Sequence, residues 1–234
     1  VILLTVDTNY ELTPWTLTAA DQEKLDPNSF PHDKVTAVLN AAAQKSYAEL
    51  RQTHLEDYQA LYSRVELDLG GKPSDDMPTD KMMQAYREGE FDPYVEELLF
   101  KFGRYLLIAS SRSGSLPANL QGVWQYYCSA AWGGGYVYNI NLQMNYWHAE
   151  EANLGECTQA LFDYMNNQLL PAGKRVAREN YGTRGMVVHH LSDIYEFAAA
   201  ADGLWGMWPL GGAWLAYHMW EHYLYTKDVT FLKE

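Results

Sequence analysis

The chain has 234 residues, 47% hydrophobic and 20% charged, which is the composition of a protein with a packed core rather than of a disordered segment. Thirty acidic against 17 basic residues leave a formal charge of −13, a field that repels phosphate backbones and anionic lipid. Nucleic-acid and membrane-surface roles are therefore disfavoured, a neutral partner fits better, and no apolar run approaches the ~18–20 residues of a membrane span.

The opening Val1 to Val6, followed by Asp7-Thr8-Asn9, is a β-branched apolar run ended by turn residues and predicts one strand of a sheet. A start in mid-strand without methionine predicts a chain cut from something longer. After a link around Asp26-Pro27-Asn28-Ser29 and Pro31, apolar residues at Val35, Val38, Leu39, Ala42, Ala43, Leu50 and Leu61 predict one long amphipathic helix over 33–63. Val65-Glu66-Leu67-Asp68-Leu69 then alternates apolar and acidic, which predicts a short strand closed by Gly70-Gly71.

Asp92-Pro93 is a helix start, an acceptor at the N-cap followed by proline at the first helical position. Val95, Leu98, Leu99, Phe102 and Leu106 are its expected buried stripe, and Arg112 to Gly114 its expected end. Further helices are expected over 156–180, kinked or split at Pro171, over 209–225, and from Asp228 onward. Between them lie long loops rich in Gly and Trp, a pattern of functional segments. The two cysteines, Cys128 and Cys157, are too few for a disulfide framework or metal knuckle and read as buried small hydrophobes.

Seven of the eight tryptophans lie between Trp124 and Trp220, mixed with tyrosines. Aromatic faces suit sugars, whose rings offer a flat C–H face and a rim of hydroxyls. On that reading Trp124, Trp132, Trp208 and Trp214 are candidate sugar platforms; the alternative is a Trp-rich core between helices. Asn139-Ile140-Asn141 is sharper: on an extended segment both amides project from one face and could hold a water or a carboxylate without neutralising it, whereas on a helix they diverge by about 200°. The alternative is a pair of asparagines satisfying loop backbone. His190 and Asp193 would share a face if helical, an imidazole–carboxylate pair that serves structure as readily as chemistry. Gly133-Gly134-Gly135 lacks the Lys and Ser/Thr of a phosphate loop and reads as a turn. His218-Met219-Trp220-Glu221-His222 fits the inverted zinc-peptidase pattern, H-x-x-E-H, but its aromatic flanks look like packing and no third ligand can be assigned.

Four motifs carry a resemblance: Ser115 to Trp124 (SLPANLQGVW), Asn139 to Trp147 (NINLQMNYW), Trp208 to Leu215 (WPLGGAWL) and Trp220 to Tyr223 (WEHY). In this order they resemble glycoside hydrolase family 95, over most of the chain from about Asp33 onward. The resemblance implies a mainly α fold: residues 1–32 the end of an N-terminal β-domain, 33–75 a helical linker, and 76–234 the first part of an (α/α)6 catalytic barrel. It implies an α-L-fucosidase-type exo-glycosidase, acting on fucosylated oligosaccharides or polysaccharides with inversion, in some members on α-L-galactosides. It also implies a secreted or periplasmic location, and no cofactor or metal. Asn139 and Asn141 match the family's Asn-x-Asn motif, which orients the attacking water or the base aspartate. The family's acid glutamate and base aspartate sit in Ser-Pro-Glu-Asn and Asp-x-Asn-Phe-Gly stretches. Neither occurs here, so this chain alone is expected to be inactive, and Glu221 matches a different family segment from the acid. Val137 stands where the family usually has histidine, and Leu191 and Tyr195 where it has Asn and Trp. A valine cannot donate a hydrogen bond to a sugar hydroxyl, which leaves both fucose and L-galactose open as substrate.

Overall fold

A computed structural model describes residues 2–9, 20, 23, 28, 30–73, 76–195, 197–201 and 203–233. Of the predicted opening strand and link, Val1, Asp26, Pro27 and Ser29 lie outside the described residues. The chain divides into two compact units, Val1–Ala60 and Leu61–Glu234.

In the first unit, residues 2–8 make no strand. Exposure still alternates, with Ile2, Leu4 and Val6 outward and Leu3, Thr5 and Asp7 half-buried. Thr5 Oγ1 donates to the Val35 carbonyl and Asp7 pairs with Lys34. The period-2 signal is thus present without a ladder, because its contacts go to helix α1 (His32–Ala43). The single long helix expected over 33–63 is two helices, α1 and α2 (Tyr47–Tyr62). The break lies at Ser46, whose backbone N–H and hydroxyl both donate to Glu49 Oε2 while Glu49 N–H reaches back to Ser46 Oγ. That is a capping box, a helix start written in the sequence as Ser-x-x-Glu.

Among its described residues the second unit is mainly helical, with long loops and one two-stranded ribbon. Its first long element, α4 (Pro93–Ser110), follows a short α3 (Thr79–Arg87) that periodicity did not reveal. Asp92 caps α4 as expected, accepting from Tyr94 N–H at 2.9 Å. The expected buried stripe is corrected: Leu99 and Phe102 are exposed at 64% and 52%, and Leu98 and Leu106 are only half-buried. Val95, Glu97, Arg104, Leu107 and Ile108 point inward instead. Apolar residues surround α4 on all sides, so hydrophobicity alone does not choose its inner face.

Two charged side chains on that face explain why 65–69 is not a strand. Glu97 Oε1 accepts from Leu69 N–H at 2.7 Å and Gly71 N–H at 3.1 Å. Arg104, 1% exposed, donates to the carbonyls of Leu61, Tyr62, Val65 and Ala152 and lies 5.4 Å from the Tyr62 ring centroid. Backbone groups that a neighbouring strand would have satisfied are taken by α4 side chains.

After α4 the chain runs through a loop to a 3₁₀ turn (Ala131–Gly134), strand β1 (Tyr136–Val137) and helix α5 (Asn141–Tyr146). The helix expected over 156–180 is continuous but changes pitch: a 3₁₀ turn (Gly155–Thr158), α6 (Gln159–Tyr164), a π turn (Met165–Leu169) and α7 (Leu170–Tyr181). Pro171 sits just after the π turn, which removes the regular i−4 carbonyl its ring would strike, so the expected perturbation takes this form. Strand β2 (Leu191–Ser192), a short α8 (Gly203–Gly206), α9 (Gly211–Thr226) and α10 (Val229–Lys233) complete the unit. Asp228 Oδ1 caps α10 by accepting from Thr230 and Phe231 N–H, as the sequence predicted.

The core gathers Leu107, Ile108, Leu142, Tyr146, Leu154, Leu161, Phe162, Leu169 and Leu215. Ser111 ties it together: its hydroxyl donates to the Cys157 carbonyl at 2.7 Å, so the proton on Tyr146 goes to Ser111 Oγ, and the Tyr146 oxygen accepts Ala118 N–H. Cys157 is fully buried, and burial pushes its thiol up to about 11. Cys128 is exposed, correcting the expectation for that residue, and both thiols are free.

Candidate active site

The Asn-x-Asn segment does not lie on one extended strand, which corrects the geometry expected of it. Residues 138–140 form a turn and Asn141 opens α5; Asn139 is exposed and Asn141 half-buried. Local interactions fix this turn. Gln143, fully buried on α5, donates from Nε2 to the Tyr138 carbonyl at 2.6 Å, tying the helix back to the residue before Asn139. Tyr138 N–H donates to the His190 carbonyl at 2.6 Å, which extends the antiparallel ribbon by one residue. In that ribbon Tyr136 faces Ser192 and Val137 faces Leu191, so two of the three departures from the family pattern form one cross-strand apolar pair beside Asn139.

Behind the turn runs a chain of buried hydroxyls. Tyr138 OH meets Tyr164 OH at 2.7 Å, and Tyr164 donates to the Asp193 carbonyl at 3.0 Å. The Tyr164 proton is thereby committed, and Tyr138 must donate to Tyr164. Burial drives the Tyr138 phenol well above its ordinary value, so it stays a neutral donor. His190 and Asp193 do not form the helical pair expected of them. His190 is half-buried with Nδ1 unpartnered, whereas Asp193 is exposed and its Oδ1 caps the Tyr195 N–H. The neighbouring His189 is the structural histidine: Nδ1 lies 3.1 Å from Trp208 N–H, and Nε2 lies 2.9 Å from Tyr181 OH. Burial holds its pKa down, opposed by a hydrogen bond to the Gly206 backbone and aided by weaker repulsion from His190.

Helix α9 starts hard against this segment. Gly211 N–H donates to the Val188 carbonyl, and a Cβ at Gly211 would lie 2.6 Å from the His189 carbonyl oxygen. Only glycine lets the helix begin there. Trp208 and Trp214, both half-buried, approach at 6.1 Å between ring centroids. The structure thus ties the segments of Asn139, Asn141, His190, Trp208 and Trp214 into one hydrogen-bonded assembly. Trp132 projects 84% exposed from the turn before β1, with positive φ, and Trp124 belongs to a separate cavity beside α4. Gln143 and Tyr164 were missed in the sequence. The one signal for Gln143 is an amide adjoining the buried Leu142 and three residues before buried Tyr146.

The H-x-x-E-H segment lies on α9, but its side chains do not converge. His222 Nδ1 meets Glu150 Oε1 at 2.6 Å and packs against the Phe162 and Phe231 rings, while His218 is buried with Nε2 unpartnered. Among the described residues no three His, Cys, Asp or Glu side chains form a metal-holding group. Glu221 is half-buried, and its carboxyl is raised first by burial and then by Glu151, with a hydrogen bond from Tyr217 opposing. Burial pushes His218 down to about 4, Glu151 opposing weakly. A depressed histidine contributes stability above its unfolded value of about 6.5 that is lost as pH falls toward 4, here up to about 3 kcal/mol. Urea unfolding at pH 7 and pH 4.5 should show His218→Gln losing less stability over that interval than the parent; equal losses would assign the slope to other groups.

The profile of the Glycosyl hydrolase family 95 catalytic domain matches residues 46–234. Alpha-L-fucosidase 2 of Arabidopsis thaliana is 42% identical over 240 residues, covering 100% of this chain and 28% of that protein. A probable alpha-fucosidase A of Aspergillus niger is 39% identical over 100% of this chain and 29% of its own length, and one of Aspergillus oryzae is 43% identical over 70% and 23%. The chain spans less than a third of the length of these curated relatives.

Proposed function

The chain belongs to glycoside hydrolase family 95, and from that premise we propose that it is part of an α-L-fucosidase. Such an enzyme releases a terminal α-L-fucose or α-L-galactose from an oligosaccharide or polysaccharide with inversion. The observation that carries the reading is the likeness of the whole chain to curated α-fucosidases, at 42% and 39% identity. In this reading residues 76–234 are the first part of an (α/α)6 barrel, 33–75 a linker and 1–32 the end of a β-domain, in a protein that works outside the cytoplasm.

Inversion uses an acid on the leaving oxygen and a carboxylate-activated water on the opposite face of the ring. Asn139 and Asn141 supply neutral amides for the water side. The turn at 138–140 presents the first, and the start of α5 presents the second. His190, Asp193, Trp124, Trp132, Trp208 and Trp214 are the proposed sugar contacts. The full-length gene product incubated with a 2′-fucosylated oligosaccharide is expected to release L-fucose whose β anomer appears first by proton NMR. Release of the α anomer first, or no release, overturns the reading.

A further inference from the structure

We propose that Gln143 is a positioning residue for Asn139, acting through the peptide that joins Tyr138 to Asn139. The carbonyl of residue 138 and the N–H of residue 139 belong to one rigid plane. Gln143 Nε2 donates to that carbonyl at 2.6 Å, so the bond fixes the orientation of the plane from which Asn139 departs. Asn139 itself is exposed, and Ile140 at the start of α5 supplies no side-chain cap. The direction of the Asn139 amide is therefore inherited from the backbone before it. Tyr138 is held at each of its three polar groups by a different segment: its N–H goes to the His190 carbonyl at 2.6 Å, its hydroxyl to Tyr164 OH at 2.7 Å and its carbonyl to Gln143. The first two bonds fix the ribbon side of the residue and its ring. The third acts on the peptide shared with Asn139.

Stability alone does not account for this glutamine. It is fully buried, yet its Oε1 has no hydrogen-bond partner among the described residues. A buried acceptor left unmet costs free energy, and an apolar side chain of similar length would avoid that cost. What an apolar side chain cannot supply is the donor to the Tyr138 carbonyl. A residue kept at some cost to folding, where it orients a reacting group, is what functional sites are expected to hold. The inference rests on the fucosidase reading for the role of Asn139, whereas the geometry of the turn is tested apart from activity.

In the full-length gene product, Gln143→Met keeps the length of the side chain and removes the donor. Fucose release from a 2′-fucosylated oligosaccharide should show kcat lower by about 10–10²-fold, the cost of a displacement of about 1 Å, with KM within about 3-fold of the parent. In the Asn139→Ala background the same change should lower kcat by less than about 3-fold, because the group it positions is gone. Tyr138→Phe removes the hydroxyl bond to Tyr164 and leaves the peptide, so it should lower the melting temperature at least as much as Gln143→Met and kcat less. A merely structural role predicts the reverse order of kcat losses. Gln143→Asn, which keeps the amide but withdraws it by one methylene, is expected to behave as Gln143→Met and serves where the methionine variant does not fold. Crystal structures of the parent and the variant should differ in the plane of the Tyr138–Asn139 peptide. A superimposable turn, or an equal kcat loss with and without Asn139, overturns the inference. A parent that releases no fucose but whose turn shifts on substitution faults the fucosidase reading and leaves this placement of Gln143 standing.

Discussion

Arg104→Met should destabilise the second unit by about 4 kcal/mol, the largest loss expected of any single substitution there. Methionine keeps much of the aliphatic bulk and removes every N–H. The carbonyls of Leu61, Tyr62, Val65 and Ala152 then lose a charged donor in a site where Arg104 is 1% exposed. Each carbonyl left buried and unsatisfied costs about 1–3 kcal/mol, partly relieved where water can enter. Arg104→Lys should recover only part of the loss, because an ammonium cannot reach the four acceptors that the planar fork spans. Chemical denaturation of the parent and both variants measures this; a loss below about 1 kcal/mol for methionine would mean that solvent satisfies these carbonyls.

The second large effect is on turnover. In the full-length gene product, Asn139→Ala and Asn141→Ala are each expected to lower kcat by about 10²–10⁴-fold, the range for groups that position acid–base catalysis. Thermal stability should barely move for Asn139→Ala, since that side chain is exposed on a turn held by Gln143 and by the His190 carbonyl. Val137→Ala, in the ribbon next to the turn, is the control for general disturbance of this region. Parent-like turnover in both asparagine variants would remove them from the mechanism.

Local chemistry made some of this legible. Asp92-Pro93 and Asp228 announced helix starts through caps that need only neighbouring residues, and the structure places caps at both. Ser46-x-x-Glu49 carried the same kind of signal, but apolar spacing across it suggested one helix, and the cap decided the matter. The alternation in 65–69 matched the exposure pattern only as far as Asp68, Leu69 being exposed, and it suggested a ladder that is absent because Glu97 and Arg104, distant in sequence, supply the partners. The same pair explains the misread face of α4: buried charges look like surface residues until their acceptors are known. In the candidate site, the motifs were recognisable, but the extended geometry assigned to Asn139 and Asn141 was not. A buried glutamine reaching back from α5 determines that turn, and no periodicity encodes it.

The convergence of three chain segments on residues 188–190 also bears on the order in which the molecule assembles. Tyr138 reaches the His190 carbonyl, Trp208 reaches His189 and Gly211 reaches the Val188 carbonyl. Each contact closes a loop whose entropy is lost before the contact gives anything back. Helices α6 and α7, held by their own hydrogen bonds, lie inside the loop from Tyr138 to His190 and can form before it closes. The attachment of the asparagine turn to residues 188–190 is therefore expected to close after the helices between them have formed, whereas the turn's own tie to Gln143 is local.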